Sequence, residues 1–166
     1  MFEAVELPED KSSFYRLLSQ QAQALMSGEK DALANLANIS SLINVSMADL
    51  NWVGFYIMRG EHLVLGPFQG KPACVHIPVG RGVCGTAVIE MKTQRVDDVC
   101  AFPGHIACDV ASQSELVVPI IVNERVVAVL DIDSPIASRF DEDDQSGVEL
   151  LVDTLSKTVE FDQLLY

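Results

Sequence analysis

The chain has 166 residues, of which 49% are hydrophobic, and its formal net charge is −13. This composition is typical of a folded globular protein with a substantial core and not of a disordered chain. The negative charge argues against nucleic-acid binding, which requires a basic surface, and against docking on anionic lipid. We therefore expect neither nucleic acid nor a membrane among its partners.

The N-terminus, MFEAVELPEDK, has neither a basic region nor a long apolar run. It does not resemble a signal peptide, and no stretch approaches the length of a membrane span. We therefore expect a cytoplasmic protein. In a reducing cytosol, four cysteines predict core residues, metal ligands or a redox set, and not a static disulfide framework.

Apolar residues recur at helical spacing through the first part of the chain. One helix is expected to have its cap at Ser12 or Ser13 and to end at Gly28, and a second is expected to begin near Asp31. We expect these two helices to cover one face of a sheet.

The middle of the chain alternates apolar and polar residues and is rich in β-branched and aromatic side chains, which predicts strands. We expect them near 52–58, 62–66, 73–78, 95–96, 114–122 and 125–132. Turn signals at 59–61 and 123–124 predict hairpins, so neighbouring strands are expected to be antiparallel. A short helix is expected near 82–91.

The last helix is expected to be capped by Asp141 and to run to about Leu164. The order of elements predicts an α+β fold in one domain over residues 1–166. Its central, mainly antiparallel sheet of about five or six strands has the N-terminal helices and the C-terminal helix packed on it. The connection 97–112 is longer than a median loop, which indicates a functional loop.

Residues 80–85 have the sequence GRGVCG and match the GxGxxG pattern of dinucleotide-binding loops. We reject that interpretation because Pro78 ends the preceding strand, no acidic residue follows about 20 positions on in a parallel strand, and the neighbouring strands are hairpin-linked. The pattern instead predicts a tight turn into a helix N-terminus. Its free N–H groups could hold a carboxylate, and its dipole could lower the pKa of Cys84.

The cysteines include no CxxC pair, which disfavours a structural zinc site. Cys74, His76, His105 and Cys108 could form a Cys2His2 set, but such sites are typical of ribbons and knuckles, so we expect no metal. A cysteine is most often a small buried hydrophobic residue, and we assign Cys100 to this class. Cys108 differs, because it lies in a polar loop where a reactive thiolate, and then a disulfide with a second thiol, can form.

Asp131 and Asp133 are two positions apart in a strand and therefore share one face. Apolar residues on the same face favour a cavity wall over a solvated face. Glu115 lies in the neighbouring strand, and carboxyl groups crowded in an apolar cavity have raised pKa values, so one can stay protonated near pH 7. The others could bind an ammonium group. Trp52 and Tyr56 share a strand face and are either core or a pocket wall.

Six segments of the chain together carry a family resemblance. They are NWVGFY (51–56), LGPFQGKPAC (65–74), GRGVCG (80–85), FPGHIACD (102–109), SELVVP (114–119) and LDIDS (130–134). In this order and spacing they resemble the free methionine-(R)-sulfoxide reductase family, a catalytic branch of the GAF domain fold. The resemblance covers nearly the whole chain. It implies reduction of the R epimer of free, not protein-bound, methionine sulfoxide, with no bound cofactor.

The resemblance also implies roles for the cysteines. It assigns attack on the sulfoxide to Cys108, with Cys84 as the alternative, and it assigns the resolving role to Cys74. The product of the reaction is then a Cys74–Cys108 disulfide, which a thioredoxin-type dithiol reduces. Cys100 lies outside the family's set and is expected to be dispensable.

The family's substrate pocket falls on the carboxyl groups of Glu115, Asp131 and Asp133 and on the aromatic residues Trp52 and Tyr56. A protonated carboxyl on Glu115 or Asp133 would act as the acid, while Asp131 with a second carboxylate would pair the α-ammonium. The resemblance suggests a homodimer. The alternative function is a non-catalytic GAF sensor of a small ligand or of oxidants, which would show saturable binding without turnover.

Overall fold

The computed structural model describes residues 8–106 and 109–165. The helices are α1 (Lys11–Met26), α2 (Ala32–Ser46), α3 (Gly82–Glu90) and α4 (Glu142–Thr158), with single 3₁₀ turns at Val99–Ala101 and Phe161–Leu164. The strands are β1 (Trp52–Arg59), β2 (His62–Gly70), β3 (His76–Pro78), β4 (Gln94–Val96), β5 (Ser114–Val122) and β6 (Arg125–Ser134). Over these residues, the structure has no helix with both the length and the apolar character that a bilayer span requires.

The six strands form one sheet in the order β3-β2-β1-β6-β5-β4, and every neighbouring pair is antiparallel. The predicted α+β fold with an antiparallel sheet is therefore confirmed. The hairpin between β5 and β6 turns at Asn123 and Glu124, which both have positive φ angles, of 49° and 61°. Two such residues match the twist of the flanking strands, as in a type I′ turn.

Helices α1, α2 and α4 cover one face of the sheet and form the larger apolar core with it. Leu116 of β5 and Leu130 and Ile132 of β6 point into this core and are fully buried. Asp10, rather than Ser12 or Ser13, caps α1, since its carboxylate accepts the backbone N–H of Ser13. The predicted serine cap is wrong because Asp10, two to three residues earlier, takes the same role.

Asp144, in the first turn of α4, connects this helix to α1. Its carboxylate accepts a hydrogen bond from Tyr15 Oη at 2.7 Å and forms ion pairs with Lys11 and Arg139 at 2.8 and 3.3 Å. Asp141 caps α4 in a reciprocal capping box with Asp144, which confirms the predicted cap.

The last helix is shorter than predicted, because α4 ends at Thr158 and Val159 is extended. The chain then makes a 3₁₀ turn that buries Phe161 and Leu164 in the larger core. A continuous helix to Leu164 was therefore wrong: the bend at Val159 allows these two side chains to reach the core.

The opposite face of the sheet is covered by α3 and is lined by a smaller apolar cluster. Strand β2 is longer than predicted and continues to Gly70, which pairs with Trp52. Strand β3 is shorter than predicted and begins at His76. This less thickly covered face carries the polar residues of the candidate site.

Candidate active site

Strand register places three carboxyl groups on the face that α3 covers. Asp133 of β6 lies directly between Trp52 of β1 and Glu115 of β5. Asp131 lies two residues earlier in β6, opposite Val117 of β5. Because side chains alternate along a strand, all of these point to one side of the sheet. The sequence prediction that Asp131, Asp133 and Glu115 meet is confirmed by this register.

Helix α3 places Cys84 against these carboxyl groups. The helix begins at Gly82, whose φ of +63° favours glycine. Gly85 lies so close to the end of β3 that a Cβ would be 2.6 Å from the Pro78 carbonyl oxygen. Cys84 is 3% exposed. Its thiol donates to Asp131 Oδ2 at 3.3 Å, and its Sγ lies 4.0 Å from Glu115 Oε1.

Burial and mutual repulsion raise the pKa values of the acidic groups in this cluster. Burial raises the pKa of Glu115 and Asp133 well above the ordinary values, and the charge of Asp131 raises both further. Burial raises the pKa of Asp131 to about 6, partly offset by the hydrogen bonds from Cys84 and Glu115. The predicted rise in carboxyl pKa is confirmed. Near pH 7, Asp131 is therefore the carboxyl group that ionises most readily.

Cys84 does not have the lowered pKa that its place in the first turn of α3 suggested. Burial raises its pKa well above the ordinary value, and the charges of Asp131 and Glu115 raise it further. The prediction was wrong because burial of the thiol, together with repulsion of a thiolate by the neighbouring carboxyl groups, outweighs the helix dipole. Near pH 7, Cys84 is therefore expected to be a neutral thiol.

A cavity opens beside this cluster and encloses about 380 Å³ of space between protein atoms, part of it continuous with solvent. Cys84, Glu115, Asp131 and Asp133 line it from the sheet and α3. His105 closes another side, with its Nε2 at 4.0 Å from Glu115 Oε2. Burial lowers the pKa of His105, so this ring is mainly neutral near pH 7.

Asn51 binds residues 109–112, which follow His105 in the chain, and holds them against the sheet. Asn51 Nδ2 donates to Asp109 Oδ2 at 3.2 Å and to Ser112 Oγ at 3.0 Å. Lys71 Nζ lies 3.4 Å from Asp109 Oδ1. Sequence reasoning assigned no role to Asn51, although it begins the first family-like segment. Its partners are 58 and 61 residues away, so only the three-dimensional structure reveals the contact.

The cysteines fall into different environments. Cys108 lies outside the described residues, although Ile106 and Asp109 on either side of that gap both line the cavity. Cys74 is disulfide-bonded, and Cys84 and Cys100 carry free thiols.

Cys100 is exposed, so its prediction as a buried core residue was wrong. It lies in a 3₁₀ turn whose cap, Asp98, accepts its backbone N–H, while the neighbouring Val99 fills the buried position.

Trp52 and Tyr56 are almost completely buried, at 2% and 1% exposure, and their rings stack with centroids 5.8 Å apart. Tyr56 Oη donates to the carbonyl oxygen of Cys74 at 3.0 Å, and Trp52 also stacks on Phe68. Both belong to the smaller apolar cluster, together with Cys84. In this structure they lie in the layer that supports the cavity, and neither is among the described residues that line it.

The residues most suited to hold a cation are Cys84, Glu115 and Asp131. One ligand atom of each lies within 4.8 Å of the other two. His76, a member of the Cys2His2 set considered from the sequence, is exposed on β3 with its ring 6.5 Å from that of His62. The described geometry therefore favours a thiol and two carboxyl groups over the histidines as cation ligands.

Comparison with known proteins agrees with this architecture. A model of the GAF domain family matches residues 31–160. The free methionine-R-sulfoxide reductase of Escherichia coli K12 is 52% identical over 150 residues, which cover 90% of this chain and 91% of that protein.

Two solved structures are also similar to this chain. The structure of the free methionine-R-sulfoxide reductase from Neisseria meningitidis in complex with its substrate superimposes with a TM-score of 0.91 at 40% identity, covering 98% of this chain and 99% of that one. The reduced form of fRMsr from Staphylococcus aureus gives a TM-score of 0.85 at 52% identity, covering 87% and 94%. The chain therefore belongs to the GAF domain family and, within it, to the free methionine-R-sulfoxide reductases.

Proposed function

We propose that this protein reduces free L-methionine-(R)-S-oxide to methionine, with thiols as the electron donors. The observation that carries the proposal is the cavity in which a buried thiol and three carboxyl groups with raised pKa values meet. The substrate complex of the Neisseria relative, which shares the fold over 98% of this chain, supports the same substrate here. One domain over residues 1–166 would then carry the whole reaction.

Cys108 is the proposed attacking residue. Its thiolate adds to the electrophilic sulfoxide sulfur, methionine leaves, and the sulfoxide oxygen passes to Cys108 as a sulfenic acid. Cys84 is the less suitable attacker, because burial and the carboxyl groups beside it hold it as a neutral thiol.

Glu115 or Asp133 is the proposed acid. The sulfoxide oxygen must gain a proton as its bond to sulfur breaks, and a carboxyl group that burial keeps protonated can supply it. Both groups line the cavity, and both have pKa values well above the ordinary range. Asp131, with the lower pKa of about 6, is then the carboxylate that pairs the α-ammonium of the substrate.

The α-carboxylate of the substrate has a complementary surface at the start of α3. The first turn of this helix has no side-chain cap, so its backbone N–H groups remain available, and Arg81 lines the same cavity. A site that pairs both backbone charges would reject peptide-bound sulfoxide, because the amine and the carboxyl of a residue in a peptide are already amides.

Cys74 is the proposed resolving residue. Its thiol condenses with the sulfenic acid on Cys108, which releases water and forms a disulfide, so the two thiols supply both electrons. The disulfide at Cys74 in the structure supports this role. A thioredoxin-type dithiol would then reduce the enzyme for the next cycle.

The decisive experiment is an epimer-resolved turnover assay with a dithiol reductant. We expect the free R epimer to be consumed, and the free S epimer and the peptide-bound R epimer to remain. A protein that binds methionine sulfoxide saturably but never releases methionine would instead be a sensor, the alternative that the GAF fold allows. With a thioredoxin system as reductant, Cys74→Ser is expected to release one methionine per enzyme and then stop. Continued turnover would assign the resolving role to another residue.

A further inference from the structure

The spacing of three ligand atoms in the buried cluster resembles that of a zinc site. Cys84 Sγ lies 3.3 Å from Asp131 Oδ2 and 4.0 Å from Glu115 Oε1. Around a tetrahedral Zn²⁺ ion, with bonds of about 2.3 Å to sulfur and about 2.1 Å to oxygen, a sulfur and an oxygen ligand lie about 3.6 Å apart. The side chains therefore need only small movements to enclose an ion.

A second feature of the cluster favours a positively charged ligand. Asp131 is 6% exposed, and its Oδ1 atom is buried without a hydrogen-bond donor among the described residues. Among the described residues, no lysine or arginine forms an ion pair with the carboxyl groups of Glu115, Asp131 or Asp133. The nearest histidine nitrogen, His105 Nε2, lies 4.0 Å from Glu115 Oε2. Buried acceptors are almost always satisfied, so an unpaired one beside a cavity suggests a bound positive group.

We propose that Cys84, Glu115 and Asp131 form a reversible binding site for a thiophilic divalent cation, namely Zn²⁺. These three side chains would be the protein ligands of the ion, and a water molecule would take the fourth position. The sulfur ligand selects zinc over Mg²⁺ and Ca²⁺, which prefer sites made of oxygen atoms. Three protein ligands with one open position are typical of zinc sites that exchange a ligand. The metal site itself is independent of the proposed reductase activity.

Occupation of the site has a consequence that does rest on the proposed function. An ion on Asp131 and Glu115 takes the position proposed for the α-ammonium of the substrate and for the acid. Zn²⁺ is therefore expected to inhibit the reductase competitively with methionine sulfoxide, so the site would be an inhibitory metal site.

The direct test is a titration of the reduced full chain with Co²⁺, a coloured substitute for Zn²⁺. We expect one equivalent to bind, with a thiolate-to-cobalt charge-transfer band and the visible absorption of a tetrahedral site, and Zn²⁺ to bleach both. Cys84→Ser is expected to lose the charge-transfer band. Cys100→Ser, which removes the exposed free thiol, is the matched control and is expected to keep it. A band that survives in Cys84→Ser would overturn the proposal.

A second variant tests the same ligand set in case Cys84→Ser does not fold. Glu115→Gln keeps the thiol and the side-chain volume and is expected to weaken Co²⁺ binding at least tenfold, and unchanged affinity would contradict the ligand set. Free methionine sulfoxide is expected to raise the apparent Kd for Co²⁺. Binding of Co²⁺ without such competition would refute the proposed substrate position alone, whereas normal turnover without any Co²⁺ binding would refute the metal site alone.

Discussion

The two faces of the sheet are built from the same strands, but one packs the larger apolar core and the other lines the cavity. On the face covered by α1, α2 and α4, β6 contributes Leu130 and Ile132 to an apolar core. On the face covered by α3, the alternate residues of β6 are Asp131 and Asp133, which line a cavity. Because side chains alternate, one strand can supply core and site with no change of backbone. Residues that stabilise the fold and residues that line the cavity therefore alternate along β6.

The two faces also differ in how their buried carboxyl groups are paired. On the helical side, the buried carboxylate of Asp144 has Tyr15, Lys11 and Arg139 as partners. On the cavity side, the Oδ1 atom of Asp131 is buried without a hydrogen-bond partner among the described residues. A buried carboxylate with an unpaired oxygen destabilises a fold, so Asp131 is expected to cost stability that the helical face supplies.

The largest effect is expected from the attacking thiol. Cys108→Ser should lower turnover of free methionine-R-sulfoxide by at least about 10³-fold, because a serine hydroxyl is a far weaker nucleophile than a thiolate. The measurement is methionine release under excess dithiol. Full activity in this variant would move the attacking role to another cysteine, with Cys84→Ser as the next variant to assay.

On the helical face, Leu130→Ala should lower the free energy of unfolding by about 3 kcal/mol, within the range of about 2–5 kcal/mol for a buried leucine. Turnover per folded molecule should remain within about twofold. Ile121→Ala in the same hairpin is the control, because this side chain is 37% exposed and should cost much less. Urea unfolding gives both values, and equal losses would contradict the burial assigned to Leu130.

On the cavity face, Asp131→Asn should have the opposite signature: activity falls by at least about 100-fold while stability rises at pH 8. Burial raises the pKa of Asp131 from 3.8 to about 6, so the folded state holds this proton more tightly than the unfolded chain does. Ionisation therefore destabilises the fold progressively from about pH 4 to 6, by at most about 3 kcal/mol.

Urea unfolding at several pH values tests whether ionisation of Asp131 lowers the free energy of unfolding. The variant should exceed the parent protein by about 1–3 kcal/mol at pH 8, and the difference should vanish near pH 4. Asp162→Asn, at an exposed aspartate, is the control and should change the free energy of unfolding at pH 8 by about 0.5 kcal/mol or less. A variant that is less stable than the parent at pH 8 would contradict the assigned cost of the buried charge.

A smaller effect is expected where the segment after β4 is fastened to the sheet. Asn51→Ala removes two hydrogen bonds, to Asp109 and Ser112, each worth about 1 kcal/mol, and should lower kcat/KM about tenfold. Lys71→Ala removes a solvent-exposed contact to the same Asp109 and should change kcat/KM by about twofold or less. Equal effects would show that Asn51 does not position this segment.

The smallest effect is expected at Cys100. This thiol is exposed and lies outside the cavity, so Cys100→Ser should leave turnover and unfolding within about twofold and about 0.5 kcal/mol of the parent protein. The same two assays measure both. A larger loss of turnover would place Cys100 in the redox cycle.

Much of this contrast between the faces could be predicted from the sequence. The period-2 pattern in β5 and β6 fixed which residues share a face, and the Asn-Glu turn fixed their register, so the meeting of Glu115, Asp131 and Asp133 followed. The GAF fold and the family were expected from the six segments and are confirmed.

What the sequence could not supply was the environment of single residues. Burial raises the pKa of Cys84, and carboxyl groups 31 and 47 residues away raise it further, so the local helix dipole gave the wrong sign. The exposure of Cys100 depends on which residue of a 3₁₀ turn faces inward. The contacts of Asn51 join distant loops, and no local pattern encodes them.

The most direct test of the central claim, that the carboxyl groups on the cavity face recognise a free amino acid, is a comparison of kcat/KM for two substrates. One is free methionine-R-sulfoxide, and the other is its N-acetyl derivative, in which a neutral acetamide replaces the α-ammonium group. We predict a loss of at least about 10³-fold for the acetylated substrate, because the buried carboxylate of Asp131 would be left unpaired. Equal kcat/KM values for the two would contradict the claim.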